Sequence, residues 1–395
     1  MPPDPMQPLS GGRHPLHQRQ IDSYPAPFLG GWYAFAHDEE LKPGGVIAFD
    51  IDGESLVAFR SKDSPNDVGV LDRHCPHLGA DLSQGKVCGG SLECPFHQWQ
   101  FGTDGCVTKV PYSAAPLKAS LRARRWYATD FHGVFCVYID GDPARRGQPP
   151  PYQLRRYPDV DSGDMVLRGR RDAGMLRLHI AELAENSADV AHFQYLHGHM
   201  TIPFTGIRVP GVTIHHDVLW FADPDQREFA GFRDVAVLEV GGRRLPFTTA
   251  TAEVRFFGPG SVMQFGFAFP DLGELVLFQT HTPSDPADPM MHRVRFRWYA
   301  SKRVPRALVS YVVGSWMAQL QADIDIWAAK RYRDKPMLMP EEHQLLEMRR
   351  WYRQFYPSHR TARHDAAVAD ELQVQPARAG WQPVVVDAEA VAPSS

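Results

Sequence analysis

The first third of the chain consists of short runs of apolar residues, partly alternating with polar ones, and this pattern predicts β-strands. Four runs stand out, separated by Gly, Asp and Ser: GVIAFDI (45–51), SLVAFR (55–60), VGVLD (68–72) and GVFCVYI (133–139). Helical periodicity is almost absent over the same stretch. The pattern therefore predicts an all-β domain over residues 29–145.

Beyond residue 150 the pattern predicts both helices and strands. Helical periodicity covers 180–197, 304–331 and 341–356. Alternation predicts strands over 261–269, 275–282 and 292–300. Elements in this order are typical of an antiparallel sheet flanked by helices, so we predict the α+β class with a helix-grip arrangement in the second domain.

The segment GDPARRGQPPP (141–151) separates the two patterns, because its prolines and glycines resist both helix and central strand. We place the domain boundary there, which leaves residues 152–358 for the second domain. Residues 1–28 and 359–395 are rich in Pro, Gly and polar residues and have no apolar period. Both ends are expected to be disordered tails.

Composition and charge exclude several classes of protein. The 395 residues, 43% of them apolar, suffice for two domains, and a net charge of −4 offers no basic surface for nucleic acid. No signal-peptide core or apolar run of about 20 residues is present, so we expect no transmembrane segment. Five cysteines are too few for a disulfide scaffold and fit a reducing compartment, which predicts a cytoplasmic protein.

One motif in the first domain combines cysteine and histidine in each of its halves. Cys75-x-His77 is followed, after sixteen residues, by Cys94-x-x-His97, and both halves lie in loops between predicted strands. Two thiolates and two imidazoles are the ligands of a mixed-ligand two-iron, two-sulfide cluster. Tetrahedral zinc is the alternative, although zinc modules usually separate a Cys pair from a His pair. The remaining cysteines are expected to be small buried residues: Cys88, Cys106 and Cys136.

A second motif, in the second domain, reads Asn186-x-x-Asp189-x-x-His192-x4-His197. On an ideal helix the two histidines point about 140° apart, so the helix must bend or end near Gly198 if both bind one metal. Two histidines and one carboxylate on one face of Fe(II) leave open positions for dioxygen. A His pair alone is weak evidence, so the assignment depends on finding a third, inward-facing acid.

The predicted helix GSWMAQLQADIDIWAAKRY (314–332) contains such an acid. Asp323 interrupts an apolar stripe that includes Leu320 and Trp327, whereas Asp325 lies on a less apolar face. A buried carboxylate needs a cation, either a metal or a core arginine. We predict Asp323 as the third iron ligand.

These motifs together resemble the Rieske non-haem iron oxygenases, large subunit. The cluster loops CPHLGA (75–80) and CPFHQW (94–99) are similar to those of the family, with Ala80 and Phe96 where high-potential respiratory relatives carry extra cysteines. The string from Asn186 to His197 resembles the catalytic-domain signature. Asp-x-x-Ile-Trp-x-x-Lys (323–330) and RRWYRQFY (349–356) look most like bacterial ketosteroid hydroxylases and sterol desaturases.

The resemblance implies a terminal oxygenase with a 2Fe-2S cluster and mononuclear Fe(II). A separate ferredoxin or flavin reductase would supply electrons from NAD(P)H, and the enzyme would use O2 to hydroxylate or desaturate an apolar polycyclic, steroid-like substrate. It also implies a homotrimer in which Asp189 hydrogen-bonds His192 and a cluster histidine of the adjacent subunit, by analogy His97. Asn186 either supports the iron site or is a helix N-cap or turn residue.

Two alternatives to a steroid oxygenase remain open on the sequence. An oxygenase of the same architecture could act on an aromatic ring or an arylamine. A Rieske-type electron carrier is the more remote alternative, because such carriers are complete at roughly a hundred residues. Phe-rich strands suggest an apolar substrate but are equally typical of a sheet core; the candidates are Phe265, Phe267, Phe269, Leu277 and Phe278.

Overall fold

Three small antiparallel sheets form the first domain. The structure is a computed structural model, and it describes residues 20–24, 28–202, 207–269, 271–283, 288 and 290–357 of the chain. One sheet has the order β1-β11-β10: β1 (Gly31–His37), β10 (Ala128–Phe131) and β11 (Val134–Ile139). A second has the order β2-β3-β4-β9: β2 (Val46–Ile51), β3 (Glu54–Arg60), β4 (Val68–Asp72) and β9 (Arg125–Trp126). The third has the order β5-β6-β7-β8: β5 (Lys86–Cys88), β6 (Ser91–Glu93), β7 (Gln100–Phe101) and β8 (Val107–Lys109). The four predicted strands are confirmed as β2, β3, β4 and β11.

A nine-stranded antiparallel sheet dominates the second domain, with the order β12-β20-β19-β18-β17-β15-β14-β13 and β16 paired to β15. Its strands are β12 (Met165–Arg177), β13 (His199–Thr201), β14 (Arg208–Ala222), β15 (Phe229–Val240), β16 (Arg243–Arg244), β17 (Ala250–Phe257), β18 (Val262–Phe269), β19 (Gly273–Pro283) and β20 (Met291–Ser301). The last three confirm the three predicted strands.

The second domain also contains several helices. They are α1 (Pro158–Asp161), α2 (Ile180–Ala188), α3 (Val190–His192), a π-helical turn (Phe193–His197), α4 (Arg306–Trp327) and α5 (His343–Tyr352). Single 3-10 turns lie at Leu82–Gln84, Pro143–Arg145, Pro246–Thr248, Pro340–Glu342 and Arg353–Phe355. The predicted helices 304–331 and 341–356 correspond to α4 and α5, both shorter than expected. In the part of the chain that the structure describes, no helix has the length and hydropathy to cross a membrane.

The strand β19 is buried on both faces and joins the two domains. Its residues Leu275 and Leu277 belong to the large core under α4, whereas Val276 and Phe278 belong to a second core shared with Trp32 of β1. Successive residues of a strand point to opposite faces, so one strand contributes to both cores. The second domain is thereby fixed against the first, and α4 covers the other side of the sheet.

The prediction that residues 1–28 form a disordered tail is wrong for the last residues of that range. Gln20, Tyr24 and Phe28 are 4–6% exposed. The Gln20 amide donates to the carbonyls of Trp327 (2.9 Å) and Lys330 (2.7 Å), at the end of α4. A helix end leaves carbonyls without intrahelical partners, and this side chain supplies donors for them. The rest of that tail, with residues 25–27 and the predicted C-terminal tail 359–395, lies outside the described residues.

Candidate functional site

Two loops of matching geometry hold the candidate cluster ligands of the first domain. In each, the N–H of the cysteine donates to the carbonyl five residues on, and its own carbonyl accepts from the N–H four residues on, at 2.8 to 3.1 Å. The fourth residue after each cysteine, Gly79 or Gln98, has a positive φ of 77° or 56°. The first loop follows β4 and the second joins β6 to β7, so the sheets present Cys75 and Cys94 side by side.

The donor set of these loops fits a 2Fe-2S cluster. Cys75 and Cys94 are 3% and 2% exposed, and the rings of His77 and His97 meet edge-on with centroids 4.8 Å apart. The backbone N–H groups of His77 and Leu78 donate to the Cys75 sulfur. Burial, together with the adjacent Cys94 thiol, raises the pKa of Cys75 to about 11, so a bound cation would be needed to stabilise the thiolate at neutral pH.

The expectation of three further buried cysteines is wrong for two of them. Cys136 is buried, and burial raises the pKa of its thiol. Cys88 and Cys106 are only half-buried. Cys106 accepts a hydrogen bond from Arg122 at 3.1 Å, and Cys88 donates to Glu93 at 3.6 Å. Cys88 ends β5 and Cys106 directly precedes β8, at the margins of a sheet whose strands are only two or three residues long.

The predicted helix 180–197 ends at Gly198, as expected, but it is also broken at Asp189, which the sequence did not predict. The backbone of Asp189 (φ −83°, ψ 86°) ends α2, and its carboxylate then accepts the N–H of His192 at 3.2 Å to cap α3. The following turn is π-helical, with hydrogen bonds between residues five apart. His192 and His197 are five residues apart, so the π-turn aligns their rings, whose centroids lie 5.2 Å from each other.

Asp323 of α4 meets these two histidines in the interior of the second domain. Ligand atoms of His192, His197 and Asp323 all lie within 4.8 Å of one another. Nε2 of His197 is 3.1 Å from Oδ1 of Asp323, which is 6% exposed as a residue. The Asn186 amide donates to Oδ2 of the same carboxylate at 3.3 Å. Asp325, by contrast, is exposed and accepts from Gln321 at 2.8 Å.

The electrostatics of this trio fit a divalent cation. Nε2 of His192 and Oδ1 of Asp323 are buried, and neither makes a hydrogen bond within the described residues; the 3.1 Å approach of His197 Nε2 to Oδ1 lacks hydrogen-bond geometry. Burial lowers the pKa of His192, so the imidazole is neutral and its lone pair is free to bind a metal. No arginine or lysine of the described ranges pairs with Asp323, so the core salt bridge considered from the sequence is not present there.

Asp189 and Asn186 take positions that the sequence did not specify. The His192 ring contacts the backbone carbonyl of Asp189 through Nδ1, whereas the Asp189 carboxylate binds the His192 backbone N–H. Asn186 lies inside α2, whose N-cap is His179, so it is not a helix N-cap. Its amide instead reaches α4, 137 residues further along the chain.

A narrow cavity lies beside the trio, between α4 and the sheet. Most of its wall is apolar: Leu183, Phe193, Phe232, Phe256, Met263, Phe265, Trp316, Leu320 and Trp327. Of the Phe and Leu candidates from the strands, only Phe265 lines it, and the sequence missed two amides in the wall, Gln279 and Gln319. Two features of the sequence could have pointed to these amides. Gln279 alternates with Leu275 and Leu277 on the inward face of β19, and Gln319 lies four residues before Asp323.

Comparison with known families identifies both halves of the chain. Residues 31–124 match the Rieske 2Fe-2S domain, and residues 142–356 match the 3-ketosteroid 9alpha-hydroxylase C-terminal domain. The chain belongs to the Rieske-type oxygenases. It is 31% identical to cholesterol 7-desaturase of Xenopus laevis over 350 residues, covering 86% of this chain and 74% of the relative.

A further relative agrees with this assignment, and two solved structures share the fold. The oxygenase component of 3-ketosteroid-9-alpha-monooxygenase from Rhodococcus rhodochrous is 27% identical over 402 residues, covering 96% of this chain and 95% of that protein. The crystal structure of dicamba monooxygenase bound to dicamba has a TM-score of 0.55 at 20% identity, covering 82% of this chain and 96% of that one. NdmA of Pseudomonas putida CBB5 with caffeine gives 0.56 at 16% identity, covering 92% of this chain and 100% of that one. These two structures show a shared fold only.

The family decides among the alternatives that the sequence left open. The chain is an oxygenase, and its family supports a Rieske 2Fe-2S cluster and a mononuclear iron over a zinc site or an electron carrier. Family membership also implies O2, a substrate and a reductase as reaction partners. The predicted α+β fold, an all-β domain followed by an antiparallel sheet with helices, is confirmed.

Proposed function

We propose that this oxygenase hydroxylates or desaturates a steroid or sterol-like polycycle, using electrons that a separate reductase passes on from NAD(P)H. The observation that carries the proposal is the trio of half-buried His192 with buried His197 and Asp323 at the wall of an apolar cavity. Relatives named for ketosteroid and cholesterol oxidation support the substrate class. None of the five cysteines forms a disulfide, which supports a cytoplasmic location.

We assign the cluster to the first domain, residues 29–145, with Cys75, His77, Cys94 and His97 as ligands. The iron belongs to the second domain, residues 152–358, with His192, His197 and Asp323 as ligands. When bound, the cluster supplies single electrons and the iron supplies a site for O2 with open coordination positions.

The surrounding residues of the chain orient the iron ligands. The Asp189 carbonyl accepts the Nδ1 proton of His192, which leaves Nε2 as the metal-binding atom. The Asn186 amide holds Oδ2 of Asp323 and leaves Oδ1 for the metal. The apolar wall excludes water from the reacting carbon and binds the hydrocarbon faces of the substrate by burial.

We further propose that electrons reach the iron from the cluster of an adjacent subunit in a homotrimer, with the Asp189 carboxylate between the two centres. Asp189 is half-buried and lines a cleft that also contains Lys330 and Arg333, so a neighbouring protomer can approach it. A cyclic, head-to-tail oligomer would repeat the same contact at each interface.

Asp189→Asn tests this electron route. The amide oxygen can still cap α3, so both metal centres should remain bound, while reductase-coupled turnover should be abolished because the charge between the centres is lost. Metal analysis and NAD(P)H-driven product formation measure the two effects, with the exposed Asp325→Asn as control. Unchanged turnover in Asp189→Asn would contradict the route.

Substrate-dependent oxygen uptake tests the substrate class. The purified protein should contain about three irons per chain, two in the cluster and one mononuclear. With a generic reductase, ketosteroids and sterols should stimulate oxygen uptake and yield oxidised product, whereas arylamines and monocyclic aromatics should not. Product formation from arylamines alone would assign the enzyme to the other substrate class.

A further inference from the structure

The inward face of β19 changes from apolar to polar where it reaches the iron cavity. Leu275 and Leu277 face α4, and the next two residues on that face are Gln279 and His281, both fully buried at 0% exposure. Burying an amide and an imidazole is unfavourable unless their polar atoms are satisfied. The hydrogen bonds of Gln279 therefore indicate which of its atoms are still available.

Trp316 and His281 fix the orientation of the Gln279 amide. The Trp316 indole N–H donates to Oε1 of Gln279 at 3.1 Å, and Nε2 of Gln279 lies 2.7 Å from Nε2 of His281. An indole only donates, so Oε1 must face it and the amide nitrogen must donate to His281. Burial lowers the pKa of His281 well below its usual value, which agrees with a neutral ring that accepts. One N–H of Gln279 and one lone pair of Oε1 remain uncommitted.

A second amide lines the same cavity one turn further along α4. Gln319 follows Trp316 by three residues and precedes Asp323 by four, so all three lie on one face of the helix. Within the described ranges the half-buried Gln319 side chain makes no hydrogen bond. Of the other polar wall residues outside the iron ligands, Asn186 donates to Asp323, and Ser187 donates to the Ala184 carbonyl at 2.6 Å.

We infer that Gln279 and Gln319 form a polar anchor that binds an oxygen substituent of the substrate, a ketone or a hydroxyl group. The inference rests on the proposed function and narrows its substrate class to oxygenated polycycles. A ketone would accept amide N–H groups, and a hydroxyl could also donate to Oε1 of Gln279. A hydrocarbon of the same shape would leave both amides facing it unsatisfied, which a site built for hydrogen bonding discriminates against.

Paired ligands test this anchor in the holoenzyme. Androst-4-ene-3,17-dione and 5α-androstane share the ring skeleton but differ in oxygen substituents, and the cavity residues Trp316 and Trp327 provide a fluorescence signal for titration. Gln319→Leu should weaken binding of the dione about tenfold and leave the affinity for androstane within about twofold. Gln321→Leu, on the same helix but bonded to the exposed Asp325, should change neither affinity.

A second variant, Trp316→Phe, tests the anchor independently in case Gln319→Leu perturbs the cavity. Trp316→Phe retains an aromatic ring beside Phe265 but releases Oε1 of Gln279, and it should also reduce the preference for the dione over androstane. Equal loss of affinity for both ligands, or an unchanged preference in both variants, would overturn the anchor alone. Failure of the unaltered holoenzyme to bind either steroid would overturn the proposed substrate class, and the anchor with it.

Discussion

At the scale of single residues, burial separates two acids that the sequence places two positions apart. Asp323 is 6% exposed and faces the histidines, whereas Asp325 is exposed and bonded to a neighbour on its own helix. The apolar stripe around Asp323 was sufficient to predict this difference. A buried carboxylate whose Oδ1 makes no hydrogen bond within the described residues is stabilised when a cation is close.

Asp323→Ala should therefore release the mononuclear iron and leave the cluster in place. Metal analysis should fall from about three to about two irons per chain, while the visible spectrum of the cluster is unchanged. Asp325→Ala is the matched control and should keep all the iron. Retention of the third iron in Asp323→Ala would remove this carboxylate from the ligand set.

At the scale of elements, a buried ion network fixes α2, the helix that carries Asn186. Glu182 is fully buried, accepts from the Tyr24 hydroxyl at 2.6 Å and pairs with Lys330. Lys330 also pairs with Glu185 at 3.2 Å, and Arg349 of α5 donates to Glu185 at 2.8 Å. Burial raises the pKa of Glu182, so its charged form depends on the lysine. The network joins α2 to the segment after α4 and to α5.

Lys330→Met should destabilise the second domain. Removing one partner leaves a buried carboxylate uncompensated, and because the lysine side chain is 37% exposed we expect a loss of about 2 kcal/mol, below the range for fully buried pairs. A lower midpoint in urea unfolding measures it. The exposed Lys335→Met, five residues on, should leave the midpoint unchanged; equal midpoints for all three proteins would show that the network adds no stability.

At the scale of the whole molecule, the two domains form a shared interior that includes buried histidine. His132, between β10 and β11, accepts the Tyr157 N–H at 2.8 Å and stacks on Phe278 with centroids 4.9 Å apart. Its carbonyl accepts from the Tyr299 hydroxyl at 2.7 Å. Burial, reinforced by the positive charge of Arg156, lowers the pKa of His132 to about 4.

This pKa predicts acid sensitivity of the assembled domains. The unfolded chain binds a proton at His132 near pH 6.5, whereas the folded chain binds it only near pH 4. The contribution to stability is therefore complete above pH 6.5 and falls by about 1.4 kcal/mol per pH unit between those values. The melting temperature of the unaltered protein should fall more steeply over this window than that of His132→Asn.

Asparagine suits this substitution because His132 has a positive φ of 53°, which asparagine tolerates. The exposed His343→Asn should follow the steep profile of the unaltered protein. Parallel melting curves for His132→Asn and the unaltered protein from pH 6.5 to pH 4.5 would show that protonation of this histidine is not linked to unfolding.

Local patterns in the sequence determined the strands, the two cluster loops and the choice of Asp323 over Asp325. Each depends on periodicity or on spacing within about twenty residues. Over such short distances the backbone geometry of a helix or strand fixes the direction in which each side chain points. The same patterns could not identify the π-turn that aligns His192 with His197, because hydrogen bonding between residues five apart is decided by what packs around the turn.

Only the tertiary structure decided the contacts between distant segments. Gln20, predicted in a disordered tail, donates to carbonyls at the end of α4, 307 and 310 residues away. Asn186 meets Asp323 across 137 residues, and Gln279 meets Trp316 across 37. A polar side chain gives no periodic signal of its partner, since its burial is favourable only after folding has brought a complementary donor or acceptor to it.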